Sequence, residues 1–262
     1  MSGKKRKKKV VRVEPTTENE DGAHDTGWEP TTEAKQKATR LRMFAAVLWL
    51  LAIAGEAFAI FWVLRQDPIN LWLLVVLIVL IGALAIGGSL LWKQANRLDP
   101  ATKKDKVRFF VQNQLGAIIT VIAFVPLIVL IFLSKDLGGK EKAVAGGVGV
   151  AVFLIASFFG VSFDSPSTEQ YDAETQQVIE LTGENLVFWT KHGSVFHLCE
   201  DASAVNLESE DDQIYSGTVA DAHADGMDRL TLQIDQEIRQ CGLDGGTTEE
   251  TDTPEPNTTF SE

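Results

Sequence analysis

Residues 71–92 read LWLLVVLIVLIGALAIGGSLLW. No residue in the stretch is charged, and Leu, Val and Ile fall on every face of a helix of that length. A helix that is hydrophobic all round is either the core of a large protein or a membrane span. Crossing ~30 Å of hydrocarbon takes ~20 residues in helical form. Three further stretches of similar length flank it: Met43–Leu64, Gly116–Ser134 and Ala143–Val161. Four such helices leave too little amphipathic sequence between them to build a soluble shell. The sequence therefore predicts an all-α polytopic bundle of four transmembrane helices over residues 43–161.

Charge is segregated around that bundle. The 262-residue chain carries a formal net charge of −12 and a mean hydropathy of +0.03, averages that describe no part of it. Residues 1–42 hold 11 Lys and Arg against 7 Asp and Glu, and residues 162–262 hold 3 against 23. The basic residues gather in Lys4-Lys5-Arg6-Lys7-Lys8-Lys9 and in the loop from Lys93 to Gln114. The other two interhelical loops carry few. Lys and Arg are retained on the cytoplasmic side of short loops. The expectation is a multi-pass protein of the plasma (inner) membrane with both termini cytoplasmic. No small-residue cleavage site follows the first span, so the basic start is not read as a signal peptide.

Polar, Pro-containing composition predicts a disordered basic tail over 1–42 and a disordered acidic tail over 243–262. Between the last span and that tail, residues 162–242 predict a small acidic α+β cytoplasmic domain. Tyr171–Leu181 reads as a helix closed by Gly183. Asn185–His197 alternates around Lys191-His192-Gly193 as a β-hairpin, and Gln213–Ser216 offers a third strand. Thr218 and Asp221 have the spacing of an N-terminal capping box. Leu230–Gln240 fits neither the helical nor the strand period.

The hairpin carries a resemblance. Phe188-Trp189-Thr190-Lys191-His192-Gly193-Ser194-Val195-Phe196-His197-Leu198, continued by Gly217-Thr218 and an Ala-rich helix, resembles a small cytoplasmic module with the pattern aromatic-Trp-Thr-x-x-Gly-x-x-aromatic-His. The chain as a whole resembles uncharacterised actinobacterial membrane proteins of four spans plus this module. That resemblance implies no enzymatic activity, and it implies a zinc site built from a Cys five residues after the His and a closing Cys-x-x-Cys. Here the first position is Ala202 and the closing motif has Cys241 alone. His197, Cys199 and Cys241 remain as metal-ligand candidates, short of the four ligands of a structural zinc site. Zinc is the one cofactor considered, and none is expected. A Cys199–Cys241 disulfide is disfavoured in a reducing cytoplasm.

Glu56 is the one ionisable residue well inside a span. A charge at the centre of an inserted helix costs ~2.5–3.5 kcal/mol. Ala52, Ala59 and Gly55 give its face the small residues of a helix–helix contact, so Glu56 is expected to face the bundle or an oligomer interface. It reads either as a proton- or cation-binding carboxylate or as a structural hydrogen-bonding group. Its placement in the first of four helices resembles the small multidrug antiporters, in that feature alone. Pro126 is expected to kink the third span.

No phosphate-binding Gly-rich loop, Ser/His/Asp arrangement or paired carboxylates is legible, so the chain is expected not to be an enzyme. The leading expectation is a membrane anchor or scaffold presenting an acidic interaction module, with the anionic Glu208–Asp212 run facing a basic partner or serving solubility. Its partners would be the lipid bilayer, another protein at the acidic domain, or a second copy of the chain, and not nucleic acid. The alternative is an oligomeric transporter or permease subunit with Glu56 as the coupling carboxylate. A third reading makes Cys199 and Cys241 a redox or metal sensor.

Overall fold

A computed structural model of the chain describes residues 9–13, 28–163, 166–205 and 212–243. The expected acidic tail after residue 243, residues 1–8 and 14–27 of the expected basic tail, and most of the Glu208–Asp212 run lie outside those residues. A short strand β1 (Lys9–Arg12) comes first, followed by four long helices: α1 (Thr32–Phe61), α2 (Leu71–Leu98), α3 (Lys106–Leu133) and α4 (Gly139–Gly160). All four are long and apolar enough to cross a membrane. Each starts where its sequence supplies an acceptor for orphan amides. Thr31, Asn70 and Asp105 side chains accept from the amides of Ala34, Leu73 and Arg108, and the Glu141 carboxylate accepts from Gly138.

The bundle core mixes small residues with Leu74, Ile78, Ile81, Phe124, Leu127 and Ile131, while other large apolar side chains face outward. Ala45, Ala52, Ala59, Ala85, Ala123, Ala145 and Ala156 are fully buried. Phe44, Leu50, Trp72 and Leu133 stand 64–77% exposed on the outer surface. Close packing of small residues brings such apolar helices together. At one contact the backbones of α3 and α4 themselves meet. A Cβ on Gly116 would lie 2.9 Å from the Gly160 carbonyl oxygen, and one on Gly160 would lie 3.0 Å from the backbone of Gly116 and Ala117. Pro126 sits within an unbroken α3.

The helices extend beyond the apolar stretches at the end that carries the rest of the chain. α1 begins eleven residues before Met43, and α2 and α3 also run past their spans into polar sequence. The expectation of a disordered tail over 1–42 therefore fails at two places. Residues 32–42 continue α1, because Ala38 and Leu41 pack on Ala95, Leu98 and Ala224. Residues 9–12 pair as a strand. Neither signal is local: the first needs its packing partner, and the second is too short for a period to show.

The C-terminal module holds α5 (Thr168–Thr182), β2 (Val187–Trp189), β3 (Val195–Phe196), β4 (Gln213–Gly217), α6 (Val219–Ala224), β5 (Arg229–Leu230) and α7 (Ile234–Cys241). The expected hairpin is present: the backbones of Phe188 and His197 exchange hydrogen bonds of 2.9 and 2.8 Å. Its two strands serve different sheets, ordered β1-β4-β2 and β3-β5. Gly183 closes α5 at φ 86°, and Thr218 with Asp221 starts α6 as a capping box. The ambiguous 230–240 stretch resolves into the end of β5, a turn and α7, which explains why no single period fits it. Val178, Val187, Trp189, Phe196, Val219, Ala222 and Met227 form the core between these layers.

Candidate functional site

The module sits directly on the ends of α1 and α2, and polar side chains fix it there. Arg97 of α2 is the hub. Its guanidinium pairs with Asp228 at 3.0 Å, and its carbonyl accepts the Tyr171 hydroxyl at 3.0 Å. Burial pushes the Tyr171 hydroxyl up in pKa, although the Arg97 charge works against this and Glu174 with it. The Tyr171 phenol thus stays protonated and can donate. Glu169 reaches the loop between α2 and α3. It accepts from the Lys103 amide at 2.9 and 3.0 Å and from the Thr102 hydroxyl. Desolvation opposes the anion, but these donors hold the Glu169 carboxyl at about 2. Ala101 and Ser167 add a backbone bridge.

His223 lies behind this junction, stacked on Tyr171 with ring centroids 4.0 Å apart. Its Nδ1 faces the Met227 carbonyl at 2.9 Å and its Nε2 faces Glu174 at 2.5 Å. Both partners are acceptors when Glu174 is ionised, whereas a neutral imidazole has one N–H to give. Asp225 takes a hydrogen bond from the Trp189 indole at 3.1 Å. Burial pushes its carboxyl up, reinforced by Asp221 and opposed by the Trp189 bond and the Lys37 charge.

Across the module, His197 and Cys199 both meet α7, each through a different partner. His197 Nδ1 faces Glu237 Oε1 at 2.6 Å, and Glu237 Oε2 accepts from the Leu198 amide at 3.0 Å. The two sulfurs are bonded to each other, with Cα atoms 6.0 Å apart. This corrects the expectation against a disulfide. That expectation came from the compartment, whereas the pairing comes from α7 lying along residues 197–203, where Gln240 also accepts from the Ser203 amide. Thiolates are not available as ligands while the bond stands. Among the described residues, no group of three or more His, Cys, Asp and Glu is arranged to hold a metal. Glu237 gives no sequence signal of its own, because residues 230–240 fit no single period and so do not mark α7. With α7 in place, the acidic residue on its inner face is the signal.

Glu56 faces the bundle interior, 5% exposed. Its Oε1 accepts from the Leu127 amide of α3 at 3.3 Å. Leu127 follows Pro126, whose missing N–H leaves the Ile122 carbonyl without its helical donor. One turn further along α1 a cleft of about 270 Å³ opens at the end of the bundle away from the module. Ile60, Leu64, Leu130 and Leu133 line it, and Arg65, Ser134 and Asp136 are at its polar rim.

A second polar cluster marks the module-bearing end of the bundle. Asp99 receives Arg42 at 2.7 Å and Arg108 at 3.1 Å. The Gln112 carbonyl takes the Trp92 indole N–H at 2.8 Å and the Asn96 amide. This cluster ties α1, α2 and α3 together where the module docks. No family model, curated protein or solved structure matches the chain.

Proposed function

We propose that the chain is a four-span protein of the inner membrane that holds a small acidic module in fixed orientation at the cytoplasmic face, as a non-enzymatic anchor or scaffold. The observation that carries this reading is the docking of the module. Arg97–Asp228, Tyr171–Arg97 and Glu169 with Thr102 and Lys103 are contacts between the module and the helix ends. A module on a loose tether would not need them. The excess of Lys and Arg on residues 1–42 and in the loop between α2 and α3 supports the cytoplasmic placement. The disulfide pulls the other way, since such bonds persist in oxidising compartments. The charge pattern draws on the whole chain and the disulfide on one pair of residues.

Crosslinking in native membranes followed by identification of the products tests the reading. Recovery of a defined protein partner or of a second copy supports it; recovery of neither overturns it. A second reading, an oligomeric transporter subunit with Glu56 as the coupling carboxylate, draws on the cleft between α1 and α3 one turn from Glu56. Proton-coupled flux in proteoliposomes that survives Glu56→Gln sinks that alternative.

A further inference from the structure

The N-terminal strand is the least expected element of the fold. Lys9, Val10, Val11 and Arg12 pair in parallel with Gln213, Ile214, Tyr215 and Ser216, and the Val13 amide extends the ladder to the Ser216 carbonyl at 2.8 Å. β1 has β4 as its one strand partner. Lys9, Val10 and Arg12 are exposed, and Val13 alone packs against the module core. The strand is thus held mainly by main-chain hydrogen bonds along the edge of β4. A four-residue strand of this kind is marginal. Removing it would leave the outer N–H and C=O groups of β4 open, and such an edge is a template for another chain.

We propose that the β4 edge is the module's recognition surface, that it takes an extended basic peptide as an added parallel strand, and that residues 9–13 fill it in cis as a built-in competitor. The inference rests on the reading of the module as an interaction module and names its partner class. Three observations support it. First, the occupant shows what fits: a β-branched pair between Lys9 and Arg12, paired through the backbone, which is how sheet edges capture peptides. Second, charge agrees. The residues leading into β1 are basic and those leading into β4 acidic in sequence, and the parallel register sets the first residues of the two strands side by side. Third, the tail is tethered close by. Trp28 donates its amide to Asp172 and packs edge-on against Tyr171 at 5.0 Å, so residues 14–27 link two anchor points on the same module. A link of that length gives an effective concentration in the millimolar range. That is enough to hold a weak strand in place and to yield to a tighter or more abundant ligand.

The test uses the full chain in detergent or nanodiscs and a fluorescent peptide of residues 4–15 as the probe. Three proteins are compared: the intact chain, a deletion of residues 1–13, and the full-length Val10→Pro/Val11→Pro variant, whose tail is present but cannot pair. Neighbouring strand residues point their N–H groups in opposite directions, so the double substitution is certain to remove a donor facing β4. Both altered proteins are expected to bind the peptide at least about tenfold more tightly than the intact chain. A peptide with the same two prolines keeps its charge and should lose about tenfold in affinity. Equal affinity for all three proteins, no binding to any, or undiminished binding of the proline peptide overturns the inference. The last outcome would mean that charge alone attracts the tail. Partner capture in membranes that is unchanged by the deletion, together with such a failure, leaves the scaffold reading standing and removes only the β4 edge.

Discussion

The bundle and the module obey different rules of assembly. In the bundle, the core is apolar: alanines and glycines at the helix contacts, Leu74, Ile78, Phe124 and Leu127 filling the space between them, and most polar links gathered at the module-bearing end. In the module, position is decided by particular polar partners and one covalent bond. His197 meets Glu237, His223 meets Glu174, and Cys199 is joined to Cys241. The physical reason is the size of each part. A module of this length buries a small core, and small cores lean on staples. The four helices are long and apolar enough to cross a membrane, and their contacts rest on close approach.

Four measurements would break or sharpen that contrast. The largest effect belongs to the disulfide, which closes a loop of 42 residues in sequence. On the chain-entropy estimate, Cys199→Ser with Cys241→Ser destabilises the module by about 4 kcal/mol and leaves the bundle unchanged. Urea unfolding followed by module tryptophan fluorescence reads the first, and helix content in detergent reads the second. Mass-shift alkylation of protein quenched directly from cells reports whether the bond forms in place. The next effect is in the bundle. Gly116→Val drives a side chain against the Gly160 backbone and should cost about 3 kcal/mol, seen as a lower melting temperature of the membrane part with the module intact.

The junction between the two regions yields smaller effects. Arg97→Ala removes a half-exposed ion pair with Asp228 worth under about 1 kcal/mol. The loss should shrink as salt rises, and amide exchange in α5 and α6 should quicken more than in β2. Smallest at neutral pH is the Glu169 contact. Its carboxyl is depressed from 4.5 to about 2 in the folded protein. Such a group contributes stability that is fully present above the unfolded value and is lost as pH falls through the folded one. Exchange protection of the Lys103 amide should therefore weaken between about pH 5 and pH 2, and Glu169→Gln should flatten that dependence. If protection stays constant across this range in the unaltered chain, Glu169 does not help hold the module in place.

Much of the bundle was legible because its signal is one-dimensional. A run such as 71–92 declares a span without knowledge of any neighbour, and the same holds for the small face around Glu56. In the module, the pieces with local signals were also readable: Gly183 after α5, the Thr218–Asp221 cap, and the turn at Lys191–Gly193. The pairing of Cys199 with Cys241 was not legible, since compartment chemistry argues against a disulfide and no local pattern marks this one. His197 was read as a ligand candidate, and its Glu237 partner lay in a stretch with no clean period.

The sequence by itself determined the number of apolar helices, the segregation of charge, and the mixed character of the acidic module. These follow from composition and periodicity, which act over a few turns. The tertiary structure alone decided that α1 starts at Thr32, that Cys199 and Cys241 join, that Arg97 meets Asp228 across 131 positions, and that residues 9–12 add a strand some 200 positions away in sequence. Each of those depends on two distant segments meeting. Until the chain folds, the loop-closure entropy that opposes their meeting hides the partner from any local reading.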